Sequence, residues 1–459
     1  MNAINLITIF ALIIAVMLKL QANYISGLRW VIMIIMACPE SLSLDFGNAL
    51  PSFSIQRIMI GIATFFWLMK QEIRVPPLRE IPFLKPQIFI GITFLLATFL
   101  APDILVSAKR YGYFMIESLL LFMVIQTSIK DEPDAEQIIW GVGLGVAIAA
   151  AFGYVEKYAG FRIVSLFPSS RGDYFAFGPA SYSTAKDIIS VYKHRILFGT
   201  ACSVGCIVFL MAAVGAVNKT PRRKSLVLFM FCAGALYLSF SRGPWTALAA
   251  AIMFMLPLMW RRAIRVLASI MLVAFLVLIT HPGMVITFSQ LGKETADPTN
   301  IKGSSFRWRF AVMNRAVSEI ENAGLGRQIF GFGGGSHVLA AHVGTVTSNG
   351  KVLPMESWDC EFAINLYEMG IAGFIGLAAL YGSIFRRVGG EIYRTHGDCP
   401  WPLTAAFGLI IVMFISKISV SLYTEQLVCV ETVGIAVASR LLQPFKRPEL
   451  SELEEEFAT

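Results

Sequence analysis

Charge is scarce in this chain: 15% of its 459 residues are Asp, Glu, Lys or Arg, whereas 56% are apolar and the mean hydropathy is +0.67. That balance excludes an ordinary water-soluble enzyme and predicts an all-α polytopic membrane protein. Cysteine is sparse as well. The seven cysteines are scattered, mostly inside apolar runs (Cys38, Cys202, Cys206, Cys232, Cys429), and none forms a CxxC pair. Neither a disulfide framework nor a metal site is indicated. The glycine run Gly331-Phe332-Gly333-Gly334-Gly335 lacks the Lys-Ser/Thr that a phosphate loop needs, so no nucleotide and no other cofactor is called for. No segment repeats, and the only biased stretch is the acidic tail from Glu452 to Glu456. The N-terminal run lacks a basic leader and a cleavage site, which predicts a retained membrane helix.

What remains is a series of apolar runs, about 12–13 of them long enough to cross a bilayer. They fall at roughly 3–19, 28–40, 55–70, 86–102, 111–129, 138–157, 196–217, 226–241, 245–260, 266–281, 361–385, 402–422 and 425–442. The net charge of +8 comes from cations clustered in short loops, which encodes topology rather than nucleic-acid binding. Lys70, Arg74, Arg79 and Lys85 mark one cytoplasmic loop, and Lys219, Arg222, Arg223 and Lys224 another. Arg261, Arg262 and Arg265, then Arg386, Arg387 and Arg394, and finally Arg440, Lys446 and Arg447 agree with them. The predicted organisation is an N-terminal bundle over 1–281, an extracytoplasmic loop over 282–360, closing helices over 361–442 and a cytoplasmic tail over 443–459. A second extracytoplasmic loop covers 158–195. The large loop carries a predicted amphipathic helix from Phe306 to Glu321, with Phe310, Met313, Val317 and Ile320 on one face. Gly303-Ser304-Ser305 reads as its cap and Asn322-Ala323-Gly324 as its end.

On the predicted outer face the cations are not explained by topology. Arg242 sits in the turn Ser239-Phe240-Ser241-Arg242-Gly243-Pro244-Trp245 between two apolar runs, and Arg307 and Arg309 sit on the loop helix. Guanidinium groups stay charged and match phosphate oxygens bidentately, so the three form a candidate anion grip. The alternative is that Arg242 snorkels to headgroups and the other two solvate a helix face. Glu356, Asp359 and Glu361 stand before the run 361–385, where a partly desolvated carboxylate can serve as a general base. They equally suit a helix N-terminus. His337 and His342 follow the glycine run, and either is an alternative base, although an exposed loop histidine is more often incidental. Arg171, His194, Arg195 and Ser241 are further candidate substrate contacts. Within the apolar runs, Lys417 is expected to pair with Glu117 or Glu431. Gly370, Gly373 and Gly376 are expected to form one small face for close helix approach.

These motifs, taken in order, resemble the O-antigen ligase and Wzy-type polymerase superfamily. The Ser241-Arg242-Gly243 turn between helices, the arginine-bearing helix, Gly331-Phe332-Gly333, then Asp359-Cys360-Glu361-Phe362 and Glu368-Met369-Gly370-Ile371-Ala372-Gly373 carry the resemblance over roughly 225–385. It implies a fold similar to the GT-C type B glycosyltransferases and a metal-independent, inverting transfer. The donor would be an oligosaccharide on undecaprenyl diphosphate, its leaving group held by Arg242 with Arg309 or Arg307. The expected setting is the periplasmic face of a bacterial inner membrane, among membrane lipids, with a flippase and a chain-length regulator as partners and no nucleic acid. Ligases of the family carry a base histidine where this chain has Asp359. That departure is closer to exopolysaccharide repeat-unit polymerases, and it leaves Asp359, Glu361 or His337 to act as base. Polymerisation is therefore the first expectation and ligation to another acceptor the second. A transporter of the lipid-linked glycan is the third, although no internal symmetry supports it.

Overall fold

The computed structural model describes residues 3–44, 53–70, 77–167, 188–216, 218–259, 264, 293, 301–343, 345–348, 351–354, 358–420 and 424–444. For 301–307, 341–343, 345–348 and 351–354 only the backbone is described. The chain is a helical bundle. It opens with α1 (Ala3–Ala22), α2 (Tyr24–Ala37), the two-residue pair β1 (Ser43–Leu44) and β2 (Phe53–Ser54), α3 (Ile55–Met69) and α4 (Leu84–Phe99). Then come α5 (Ile104–Ser128), α6 (Glu132–Ala159), α7 (Arg195–Gly215), α8 (Lys219–Leu238) and α9 (Arg242–Met259). The large loop contributes α10 (Ile301–Glu321), α11 (Leu325–Phe330), α12 (Ser336–Val343) and the hairpin β3 (Thr345–Ser348) and β4 (Lys351–Pro354). The closing helices are α13 (Glu361–Arg394), α14 (Trp401–Ser419) and α15 (Glu425–Leu441).

Among the described residues, seven helices are long and apolar enough to cross a membrane: α1, α5, α6, α7, α9, α13 and α14. The apolar helices α2, α3 and α4 are shorter. The expected run 226–241 is part of α8, which starts inside the basic loop at Lys219, and the run 425–442 is α15. The expected run 266–281 lies outside the described residues. Helix α7 is apolar on all sides and buried almost throughout, as a helix enclosed by its neighbours should be. The closest approaches use missing side chains: a Cβ on Gly145 of α6 would stand 2.7 Å from the Met33 carbonyl of α2.

Helix directions separate the bundle into two ends. At one end Gly215 abuts Trp401, Gly397 abuts Met259, and Ser439 Oγ donates to the Pro82 carbonyl at 2.9 Å. The basic loops near 79–85, 219–224 and 386–394 gather there. At the other end lie His194, the Ser-Arg-Gly turn, Ser419, the start of α13 and the loop helices.

Two expectations need correction. Helix α10 begins at Ile301, so Gly303-Ser304-Ser305 lies inside it rather than capping it. Its buried face is Val312, Ala316 and Ile320, whereas Phe310 and Val317 are exposed at 58% and 38%. The reason is local. Val312 and Ala316 pack with Trp358, Ala363, Ile364 and Tyr367 into a small second core that ties the loop helix to the start of α13. The other correction is Gly370, which breaks α13 instead of forming a smooth face. Close approach is seen at Gly376, whose Cβ position is 2.8 Å from Ile90 of α4, and at Gly370, whose Cβ position is 2.5 Å from the Ile329 carbonyl of α11, while Gly373 meets only Met369 of its own helix.

Candidate active site

The break in α13 builds half of the site. Gly370 has φ 63° and ψ −166°, and Gly331, which ends α11, has φ 79° and ψ −167°. Both lie in a region that only glycine occupies without strain. They sit back to back: a Cβ on either would come within 2.5 Å of the other's backbone nitrogen. Because the helix is interrupted, carbonyls of its first segment are available to other donors. Phe332 N–H donates to the Tyr367 carbonyl at 3.0 Å and Gly333 N–H to the Glu368 carbonyl at 2.9 Å. Gly370→Ala is therefore expected to lower the unfolding temperature by the equivalent of at least about 1–3 kcal/mol of backbone strain. Gly61→Ala, whose Cβ would meet nothing within 4 Å on α3, is the matched control and should be neutral or mildly stabilising. Thermal unfolding in detergent measures both.

The glycine segment then delivers His337. Its Nδ1 lies 2.6 Å from Glu368 Oε1, an oxygen that also accepts the Gly335 N–H at 2.5 Å. One carboxylate oxygen thus takes both the glycine N–H and the imidazole, which fixes the orientation of the ring. Glu368 is 2% exposed and the imidazole sits under the edge of Trp358, ring centroids 6.3 Å apart. Phe332 stacks on Tyr367 at 4.5 Å, which fixes the segment against α13.

The other half comes from the arginines. The turn between α8 and α9 is seated on α7: Ser203 Oγ donates to the Pro244 carbonyl at 2.9 Å, and a Cβ on Gly199 would meet Pro244 and Ser239 at 2.9 Å. Pro244 is in the first turn of α9, where its missing N–H costs nothing. Phe240 takes a left-handed φ of 49° to reverse the chain. Gly243 lets the turn approach Ser419, whose Oγ would be 2.9 Å from an added Cβ. Ser419 ends α14, and its carbonyl accepts the Arg309 Nε–H at 2.8 Å. A guanidinium at a helix C-terminus is itself favourable. It also places Arg309 beside Asp359 and Arg242, both within electrostatic range. Burial holds the Arg309 guanidinium below its ordinary range; the Asp359 carboxylate opposes that and the like charge of Arg242 adds to it.

The structure thus brings Arg242, Arg309 and Asp359 into one neighbourhood, with His337 nearby through Trp358. Ser241 is buried within the turn. Glu361 is the first residue of α13, buried, and faces a cavity of about 430 Å³ that Glu368 also lines. Arg242 and Arg309 are not among that cavity's lining residues. Arg307 lies on α10 two residues before Arg309, and its side chain, like Arg171 and Glu356 entirely, lies outside what is described. His194 serves the helix that follows it, because its Nδ1 accepts the Ile196 N–H at 3.2 Å and caps α7. Arg195 comes next as the first residue of α7, one turn before Gly199. Within the bundle Lys417 pairs with Glu431 at 2.7 Å, while Glu117 pairs with Arg57 at 2.8 Å.

Glu368 and Arg57 were missed as site residues although the sequence carried a signal for each. Both are ionisable residues inside apolar helices, which are costly unless employed. Ser419 carried none, because its contribution is a main-chain carbonyl at a helix end.

A family model described as O-antigen ligase matches residues 226–378. The match contains Arg242, Arg309, His337, Asp359, Glu361 and Glu368, and it supports the O-antigen ligase and Wzy-type superfamily. No curated protein matches the chain.

Proposed function

With residues 226–378 supporting the O-antigen ligase and Wzy-type superfamily, which implies ligase- or polymerase-type transfer of a lipid-linked oligosaccharide, we propose the finer reading that this protein polymerises repeat units carried on undecaprenyl diphosphate. The observation that carries it is the convergence of Arg242 and Arg309 at the end of α14, next to Asp359. Two guanidinium groups held in one neighbourhood match the two negative charges and the oxygen forks of a diphosphate. The proposed active face is the periplasmic one. It is supported by the charge of the loops, since the basic loops gather at the opposite end of the bundle.

In the proposed reaction the acceptor hydroxyl gives its proton to Nε2 of His337. Its oxygen forms a bond to the anomeric carbon of the donor from the face opposite the leaving group. The anomeric carbon–phosphate oxygen bond breaks, and its electron pair leaves on undecaprenyl diphosphate. Arg242 and Arg309 hold the charge that develops there, and cations placed in advance need no reorganisation as it forms. Glu368 holds the imidazole in its tautomer and stabilises the imidazolium that results.

The second reading is ligation to a different acceptor. His337 favours it, since a histidine base is what the ligases of the family use and the fold supplies one from the loop. Reconstitution with a purified lipid-linked repeat and no other acceptor decides between them. Polymer is the expected product. No product until a second acceptor class is supplied would instead make the protein a ligase.

A further inference from the structure

The backbone N–H groups of the segment before His337 go to two separate parts of the bundle. Phe332 and Gly333 donate to the Tyr367 and Glu368 carbonyls of α13, and Gly335 donates to the Glu368 carboxylate. Gly334 instead donates to Ser107 Oγ on α5, at 2.8 Å. We propose that Ser107 is a positioning residue for His337: its hydroxyl holds the glycine segment from the α4–α5 side and so fixes where the imidazole stands. The proposal rests on the reading of His337 as the base, and adds to it a residue outside the matched segment 226–378.

Three observations carry it. The first is that the anchor is itself held. Asp103 caps α5 by accepting the Val106 N–H at 3.0 Å, and the Ser107 N–H donates to the Asp103 carbonyl at 3.1 Å, which sets the serine one turn into the helix. Ser107 Oγ donates to Thr98 Oγ1 of α4 at 3.1 Å, and Thr98 Oγ1 donates to the Phe94 carbonyl at 2.9 Å. The Ser107 hydroxyl therefore accepts from Gly334 and donates to Thr98, so its orientation is fixed at both ends. Ser107 and Thr98 are buried, and a buried N–H deprived of its acceptor keeps its full desolvation cost.

The second observation is the close fit of the segment against the corner between α4 and α5. Gly333 has φ 84°, and a Cβ there would stand 2.5 Å from Ala101 Cβ and 2.9 Å from both the Ala97 carbonyl oxygen and Ser107 Oγ. A Cβ on Gly334 would meet the Phe94 ring at 2.6 Å and Arg110 Cβ at 2.9 Å. Arg327 ties α11 to the same corner, its Nη2 donating to the Leu100 carbonyl at 3.2 Å. Side chains are missing where the segment meets the corner, so its backbone comes near enough for a serine hydroxyl to reach it.

The third is what the contact controls. The Gly335 N–H and His337 Nδ1 meet the same Glu368 oxygen, and Gly334 directly precedes that pair of contacts in the chain. A shift of Gly334 therefore moves the imidazole relative to Glu368. Catalysis is sensitive to such a shift, since a misplacement of about 1 Å can cost about 10²-fold in rate.

The test uses the full chain in lipid nanodiscs and two readouts. One is carbethoxylation of His337 by diethyl pyrocarbonate, followed on its own peptide by mass spectrometry, which needs no substrate. The other is transfer from a purified lipid-linked repeat. Ser107→Ala removes the acceptor, and Ser107→Cys keeps a side chain of similar shape with a weakly accepting sulfur. His337 should react severalfold faster in Ser107→Ala and by a smaller factor in Ser107→Cys, while the exposed His396 reacts as in the wild type. In Ser107→Ala kcat should fall about 10- to 100-fold at an unchanged donor KM, and the loss should vanish in a His337→Ala background. Ser225→Ala is the control: it removes a buried hydroxyl bonded within α8, to the Pro221 carbonyl at 3.0 Å, and should change neither readout. Unchanged His337 reactivity in both Ser107 variants overturns the proposal. So does an equal further loss of rate from Ser107→Ala when His337→Ala is itself impaired. Faster reaction of His337 in Ser107→Ala beside a fully active His337→Ala would uphold the anchor and defeat the reading of His337 as base.

Discussion

Arg242→Ala is expected to stop polymer elongation, with lipid-linked single repeats accumulating in its place. Removing one preplaced donor to a developing oxyanion typically costs about 10²–10³ in rate. Arg242 should reach that range because the charge it meets is a leaving diphosphate rather than a single oxyanion. The turn should still form without the side chain. It is fixed by main-chain and glycine contacts, from Ser203 to the Pro244 carbonyl and from Gly243 to Ser419, and none of these uses the guanidinium. The variant should therefore unfold at the wild-type temperature while losing activity. Arg242→Lys restores the charge without the fork and should recover part of the rate. Normal chain lengths in Arg242→Ala would remove the donor-site proposal, and gel analysis of the glycan product reads this directly.

The second large effect is expected at His337. General-base catalysis contributes typically about 10²–10⁴, so His337→Ala should lose rate in that range with little change in donor affinity. Glu368→Gln is the subtler test, because Glu368 acts through the imidazole and is a positioning residue. An amide presents either its N–H₂ or its oxygen to Nδ1, so the tautomer is no longer enforced and the imidazolium loses its counter-charge. The turnover rate should then fall while the KM for the donor stays near the wild-type value, which a merely structural defect would not do. Asp359→Asn separates the alternatives. If Asp359 only offsets Arg309, the variant should keep its rate and bind the anionic donor more tightly. A dead Asp359→Asn beside a fully active His337→Ala would transfer the role of base to the carboxylate.

The distribution of apolar and basic residues was enough to read the membrane bundle, and the seven apolar helices long enough to cross a bilayer agree with it. Helix boundaries were less legible. Helix α5 starts at Ile104 rather than near 111 because Asp103 caps it, accepting the Val106 N–H at 3.0 Å, ahead of the purely apolar run. The apolar residues of α10 are not confined to one stripe. Which of them turn inward was set by Trp358 and Tyr367, brought there by another helix.

For the site, the ordering of motifs over 226–378 was visible along the chain, and the family match covers the same region. A one-dimensional pattern names residue types at intervals, so it could propose a guanidinium for phosphate and a carboxylate or imidazole for a proton. It could not supply distance. Only packing turned Gly370 from a helix-face glycine into a helix break, and that break holds the glycine segment that sets His337 against Glu368. Likewise, only the fold brought the carbonyl of Ser419 to Arg309, and gathered Arg57, Glu117 and Glu425 from three separate helices around one cavity. The reason is physical: in an apolar surround each buried charge must find a partner or a ligand, and partners remote in sequence are chosen by how the helices pack.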